Sequence, residues 1–284
     1  MGDPRAALEA IGTLPDVEID IAGAAMQLAR IDAPEADWRA AAALLSTIAR
    51  EAAELAVRLD DAAPATRAEA LTGLLALRHG FRGDAETYDD LANANLIRVL
   101  ERRKGLPVAL GVIWLHAARA AGWPAHGVDF PGHFLIAFEE SGRGEAGKGE
   151  GGQAVVDVFS GGVPMRARDL RELIRRVEGP DAELRPGVLL PMSARAVLLR
   201  LQNNIKLRRL RAGDVTGALA CAEDMLRIAP DTAALWRETG ALHQHAGQVA
   251  AALRCYERFV SLVPNGDAAG RVRAAIAQLR QRLN

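Results

Sequence analysis

One histidine and one aspartate in this sequence look like two members of a catalytic set whose third is missing. His133 follows Phe130-Pro131-Gly132 and Asp157 follows Val155-Val156, each in a short apolar run bounded by turn residues, the pattern of strands. A helix followed by two such strands is what a Cys-His-Asp acyl-transfer site needs, because the three groups converge only across separate elements. The thiolate of such a site opens a helix, where unpaired N–H groups and the macrodipole acidify it. Here the helix preceding His133 opens at Pro107, after Lys104-Gly105-Leu106. Proline suits a first helical position, since its φ is preset and its missing N–H had no partner there, but it cannot attack a carbonyl. His133 and Asp157 are therefore expected to persist as a hydrogen-bonded pair joining two strands, with a ligand or catalytic role as the alternative.

No other side chain supplies the nucleophile. Cys221 and Cys255 stand 34 residues apart at equivalent places in a repeat and read as small buried side chains. Ser160 precedes Gly161-Gly162 in a turn, which suits a turn residue better than a nucleophile. His126, Asp129 and His133 fail as metal ligands, because an odd offset of three on a strand sends His126 and Asp129 to opposite faces. No metal or other cofactor is expected. Arg195, Arg200, Lys206 and Arg209, with Arg208 and Arg211, form a basic run with no acid between them, read as a solvated helix face or a surface for an acidic partner.

The elements that must hold these groups are mostly helical. Half the residues are apolar but only 4% are aromatic, and alanine abounds, which favours close helix packing over a β-sandwich. With 35 basic and 36 acidic side chains, no global field draws the chain to nucleic acid or an anionic membrane. The uncharged run from Gly105 to Ala118 is too short to span a bilayer. Two cysteines make no disulfide framework, and acidic and basic residues interrupt the first thirty positions, so a reducing cytoplasm is expected.

Helical periodicity over 20–29 and 37–59, with Asp37 and Thr66 as N-caps and Gly80 as a stop, predicts a helical lobe over 1–80. A core over 81–190 follows. It comprises a polar loop over 81–91, a helix from near Asn93 that ends at Gly105, the helix at Pro107, and strands at Ala125–Phe130, His133–Phe138 and Ala154–Phe159. Ser141–Gly152, glycine-rich and charged, is expected to be a mobile hairpin loop, and Ala167–Glu178 a helix. The Gly179–Pro191 connector then reads as a domain boundary. Over 191–284 the sequence repeats: Ala218, Leu219, Cys221, Glu223 and Pro230 recur as Ala252, Leu253, Cys255, Glu257 and Pro264, at the 34-residue tetratricopeptide period. The second copy has Trp236 and Gly240 where the first has Gln202 and Lys206, and 267–283 should form a capping helix.

Five motifs in order resemble a bacterial family called SirB-type proteins: Tyr88 to Asn93, Val99 to Pro107, Phe130 to Phe134, Asp157 to Gly162, and Leu198 to Lys206. The resemblance covers the chain from about residue 40 onward. It implies an α+β, predominantly α fold: a transglutaminase-like, papain-like core with a small antiparallel sheet, followed by tetratricopeptide-like helices. In active transglutaminase-like enzymes the nucleophile opens the helix whose counterpart here begins at Pro107, while His133 and Asp157 match the other two triad members. The expected function is a non-catalytic, regulatory or adaptor protein that binds a protein or peptide partner. The alternative is an amidase, protease or acyl transferase using His133 and Asp157.

Overall fold

The structure is a computed structural model and describes residues 2–59, 61–140 and 152–281. In chain order its helices are α1 (Pro4–Gly12), α2 (Ile21–Asp32), α3 (Trp38–Arg58), α4 (Pro64–Thr72), α5 (Leu96–Arg102), α6 (Pro107–Ala120), α7 (Ala167–Glu178), α8 (Ala194–Arg211), α9 (Val215–Ile228), α10 (Ala233–His245), α11 (Val249–Leu262) and α12 (Asp267–Gln281). Its strands are β1 (Arg82–Gly83), β2 (Lys104–Gly105), β3 (Ala125–Phe130), β4 (His133–Glu139), β5 (Gln153–Asp157), β6 (Val163–Pro164) and β7 (Pro191–Met192). The fold is mostly helical with a small antiparallel sheet, as the sequence predicts. Two compact units divide it, Pro15–Leu201 and Met1–Leu14 with Gln202–Asn284, a grouping that differs at both ends from the three-part partition read off the sequence.

In the first unit five strands run in the order β6-β5-β4-β3-β7, antiparallel throughout. The β3–β4 hairpin turns through Pro131-Gly132, and Gly132 adopts φ 70°, where a side chain would be strained. Helix α6 is apolar all round and buried all round, with Val108, Leu110, Ile113, Trp114 and Ala117 inaccessible. It lies on the sheet face that carries Phe134. Gly111 makes this possible, because a Cβ there would sit 2.1 Å from the Phe134 ring. The opposite face, with Val128, Phe130, Leu135, Ala137 and Val155, is sealed by Leu170, Leu173 and Ile174 of α7.

Several local expectations change. Asp37 caps α3 as predicted, accepting from the Arg39 and Ala40 N–H groups. Thr66 does not cap α4, which begins two residues earlier at Pro64 with Ala63 as its N-cap. Helix α5 starts at Leu96, capped by Asn95, and ends at Arg103 in the left-handed region at φ 59°, so Gly105 is free to pair in β2. The Gly179–Pro191 connector does not close the sheet unit, since β7 adds an edge strand to β3 and the unit runs on to Leu201. The expected mobile loop lies outside the described residues except for Gly152.

In the second unit, α10 and α11 pack where Gly240 meets the Tyr256 ring, 2.6 Å from where a Cβ would stand. The Trp236 indole donates to the Pro230 carbonyl at 2.7 Å, and Tyr256, Phe259, Val272 and Ile276 share a core with the capping helix α12. Helix α1 belongs to this unit. Gly12 lets its backbone approach α9 so closely that a Cβ would fall 2.1 Å from the Arg227 carbonyl oxygen. Asp224, buried beneath, bonds Arg5 at 3.2 Å and Arg227 at 3.0 Å; burial pushes its carboxyl above the usual range, and the two guanidiniums offset only part of that.

Candidate functional site

Pro107 occupies the first turn of α6, behind the extended Leu106, whose N–H donates to the Asn93 carbonyl at 2.8 Å. His133 opens β4 and Asp157 closes β5. The register pairs Ala137 with Val155, so strand alternation puts His133 and Asp157 on the face of Leu135 and Val155, the one that α7 covers. Helix α6 packs on the other face. His133 and Asp157 are not hydrogen-bonded to each other, which corrects the expectation of a strand-joining pair. Asp157 instead holds its own turn: Oδ1 accepts from the Phe159 N–H at 2.9 Å and the Ser160 N–H at 3.3 Å, and Oδ2 from the Ser160 hydroxyl at 2.6 Å. A carboxylate that closes such a turn needs no histidine to explain it.

His133 is tied down through its backbone. Its carbonyl accepts from Arg200 Nη2 at 2.8 Å, while the same guanidinium pairs with Asp129 and lies 5.7 Å from the Phe134 ring centroid. Burial lowers the Arg200 pKa, and the neighbouring Tyr88 acts in the opposite direction. The other basic residues singled out in the sequence also have partners. Arg195 pairs with Asp16 at 2.9 Å, Lys206 with Glu238 at 2.5 Å, and Arg209 with Asp214 at 3.6 Å. Lys206 is 1% exposed, so the run is no simple solvated face. His126 pairs across the ladder with Ala137 and Asp129 with Phe134, on opposite faces as alternation requires. Burial pushes the His126 imidazole down despite Glu139 at 3.4 Å.

Asp84 is a residue that sequence reasoning missed, and it organises the loop before α5. Its side chain, 1% exposed, accepts from the Thr87 hydroxyl at 2.6 Å, the Thr87 N–H at 3.0 Å and Arg102 Nη2 at 2.8 Å. The Thr87 hydroxyl and N–H outweigh burial and, with the charges of Lys104 and Arg102, hold its carboxyl at about 2. Asn93 completes the set, donating to the Thr87 carbonyl at 2.6 Å and accepting from Arg102 Nη1 at 3.2 Å. The spacing Asp84-x-x-Thr87, an aspartate followed three residues later by a hydroxyl, was the available signal. This loop presents Tyr88, 44% exposed, edge-on to Phe159 at 5.9 Å between ring centroids. Phe159 in turn covers Gly83, where a Cβ would meet its ring at 2.5 Å. A rigid tyrosine thus stands between the loop that follows Asp157 and Arg200.

Residues 39–203, more than half of the chain, match the profile of the transglutaminase-like superfamily. The chain belongs to that superfamily. Residues 205–277 match a tetratricopeptide repeat profile. Among curated relatives, a UPF0162 protein of Xylella fastidiosa (strain 9a5c) is 34% identical over 164 residues, 57% of this chain and 55% of that protein. A UPF0162 protein of Vibrio cholerae is 32% identical over 178 residues, 63% of each chain. The mouse F-box only protein 21 is 32% identical over 79 residues, 28% of this chain and 11% of that protein. The chain thus spans 55–63% of the length of the two bacterial relatives. As a transglutaminase-like protein it carries proline at the start of α6, the helix that opens with the nucleophile in active transglutaminase-like enzymes.

Proposed function

We propose that this protein is a non-catalytic transglutaminase-like adaptor that binds a protein or peptide partner, in the regulatory manner its SirB-type resemblance implies. Pro107 at the opening of α6 carries the reading, since no rotamer of proline offers a nucleophile. The turn made by Asp157 supports it, because this carboxylate is spent on Phe159 and Ser160 rather than on orienting an imidazole. Tetratricopeptide helices supply extended surfaces on which proteins dock, and Tyr88 and Arg200 are residue types that dominate binding energy when held rigidly. The near-zero net charge makes nucleic acid and anionic membranes unsuitable partners. Among the described residues no helix is long and apolar enough to cross a membrane. We place the protein in the cytoplasm.

The deciding experiment is an assay for ammonia release and hydrolysis on glutamine-containing peptides. The expected outcome is no turnover above the buffer rate. Turnover that disappears in His133→Ala would overturn the proposal in favour of an enzyme.

A further inference from the structure

Helix α4 does not end in an ordinary turn. It passes into a π-helical stretch, Gly73–Arg78, closed by the His79 N–H donating to the Leu74 carbonyl at 3.0 Å. Such wide turns are rare and recur at functional sites. This one walls a cavity of about 270 Å³ lined by Glu51, Glu54, Leu55, Arg58, Ala70, Gly73, Leu74 and Arg78. Glu51 is 7% exposed and fully engaged, with Oε1 to Arg78 at 2.8 Å and Oε2 to His79 at 2.6 Å. Glu54 is engaged by Arg50 at 2.6 Å. Arg58, at the mouth, has no partner among the described residues.

The charges around the cavity do not balance. Arg58 and Arg78 face it, and its one buried carboxylate, Glu51, is shared between Arg78 and His79. The excess continues behind His79, whose ring lies 6.3 Å from that of Phe81. Arg103 lies over the Phe81 ring at 4.9 Å with a buried Nη1 that has no hydrogen-bond partner. Cations left with too little countercharge are costly, and the cost is relieved by an anion from outside. Two guanidiniums flanking one opening give the fork geometry that carboxylates accept, and Leu55, Ala70 and Leu74 offer an apolar floor behind them. The volume lies just under the roughly 300–1,000 Å³ of pockets for drug-sized ligands, so the ligand is small.

We propose that this cavity binds a small organic carboxylate, its oxygens between Arg58 and Arg78 and its short aliphatic chain against Leu55, Ala70 and Leu74. Butyrate and inorganic phosphate, at matched ionic strength, separate an aliphatic carboxylate from a bare oxyanion. Titration of the full-length protein followed by thermal shift and calorimetry should show saturable stabilisation by butyrate and little by phosphate. Arg58→Gln should weaken butyrate binding at least about tenfold while leaving the ligand-free melting temperature unchanged, because that side chain bonds no described residue. Glu51→Gln should strengthen binding even if it lowers the melting temperature, since Arg78 then loses its internal competitor. The proposal is overturned if butyrate gives no saturable shift, if Arg58→Gln binds it as tightly as wild type, or if phosphate saturates the site and butyrate does not.

Discussion

Replacing Asp84 tests whether one buried carboxylate organises the loop that presents Tyr88. The wild-type side chain accepts three hydrogen bonds, two from Thr87 and one from Arg102, and 1% of it is exposed. Hydrogen bonds to a charged group contribute roughly 1.5–3 kcal/mol each, but the three share one network and Arg102, 31% exposed, recovers some hydration. Asp84→Ala should therefore cost about 3 kcal/mol rather than the full sum. In a unit of this size that lowers the melting temperature by about 6–12 °C. Asp84→Asn keeps an acceptor for the Thr87 N–H but turns an amide donor toward donors, and should lose about 2 kcal/mol. The pH dependence has a definite sign. The folded-state pKa of about 2 lies below the ordinary aspartate value of 3.8, so this stability is fully present above about pH 4 and is lost as pH falls toward 2. The gap between wild type and Asp84→Asn, followed by melting from pH 7 to pH 2.5, should accordingly narrow only below about pH 4. Hydrogen exchange over residues 84–93 should accelerate in both variants. An Asp84→Ala protein that melts within about 2 °C of wild type with unchanged exchange in that loop would refute the reasoning.

Pro107→Cys should restore no glutamine-directed activity, because α6 and the His133–Asp157 face lie on opposite sides of the sheet; ammonia release is the readout. Gly12→Ala should destabilise the repeat unit by more than about 2 kcal/mol, seen in a melt, since the new methyl meets a carbonyl oxygen of α9 and not a flexible side chain. Lys206→Met should be neutral or mildly stabilising in denaturant titrations, because it removes a buried ammonium whose partner Glu238 is half exposed and can return to water. Cys255, its thiol pushed up to about 11 by burial, should resist an aromatic disulfide reagent in the native protein and react only after unfolding.

Local pattern carried the sequence reading furthest where one element makes its own signal. Ala125–Phe130 and Ala167–Glu178 have the predicted bounds, because a Pro-Gly turn and a clean helical stripe mark them. The two-residue strands Val163–Pro164 and Pro191–Met192 are too short for any periodicity, so the connector at 179–191 looked like a boundary when it led into the sheet. Gly105 drew the end of α5 away from Arg103, which takes the left-handed cap without being glycine. The placement of α1 rests on contacts with residues more than two hundred positions away, which no local window contains. The site was read by residue type and order, which correctly singled out Pro107. Whether His133 meets Asp157 depends on strand faces and on competition from Phe159 and Ser160 for the carboxylate, both visible only in three dimensions.

Because α1 docks on α9, this protein's repeat unit needs both ends of its chain before it can close. Synthesis at roughly 5–20 residues per second separates the emergence of these two helices by about 10–40 s. During that interval Pro15–Leu201, a continuous stretch, can complete its own core while the first helix waits with Leu8 uncovered. Amino-terminal fusions and tags are consequently a poor choice for this protein. They would act on the final folding step of a segment encoded some two hundred codons downstream, and the damage would register as aggregation of the carboxyl-terminal helices.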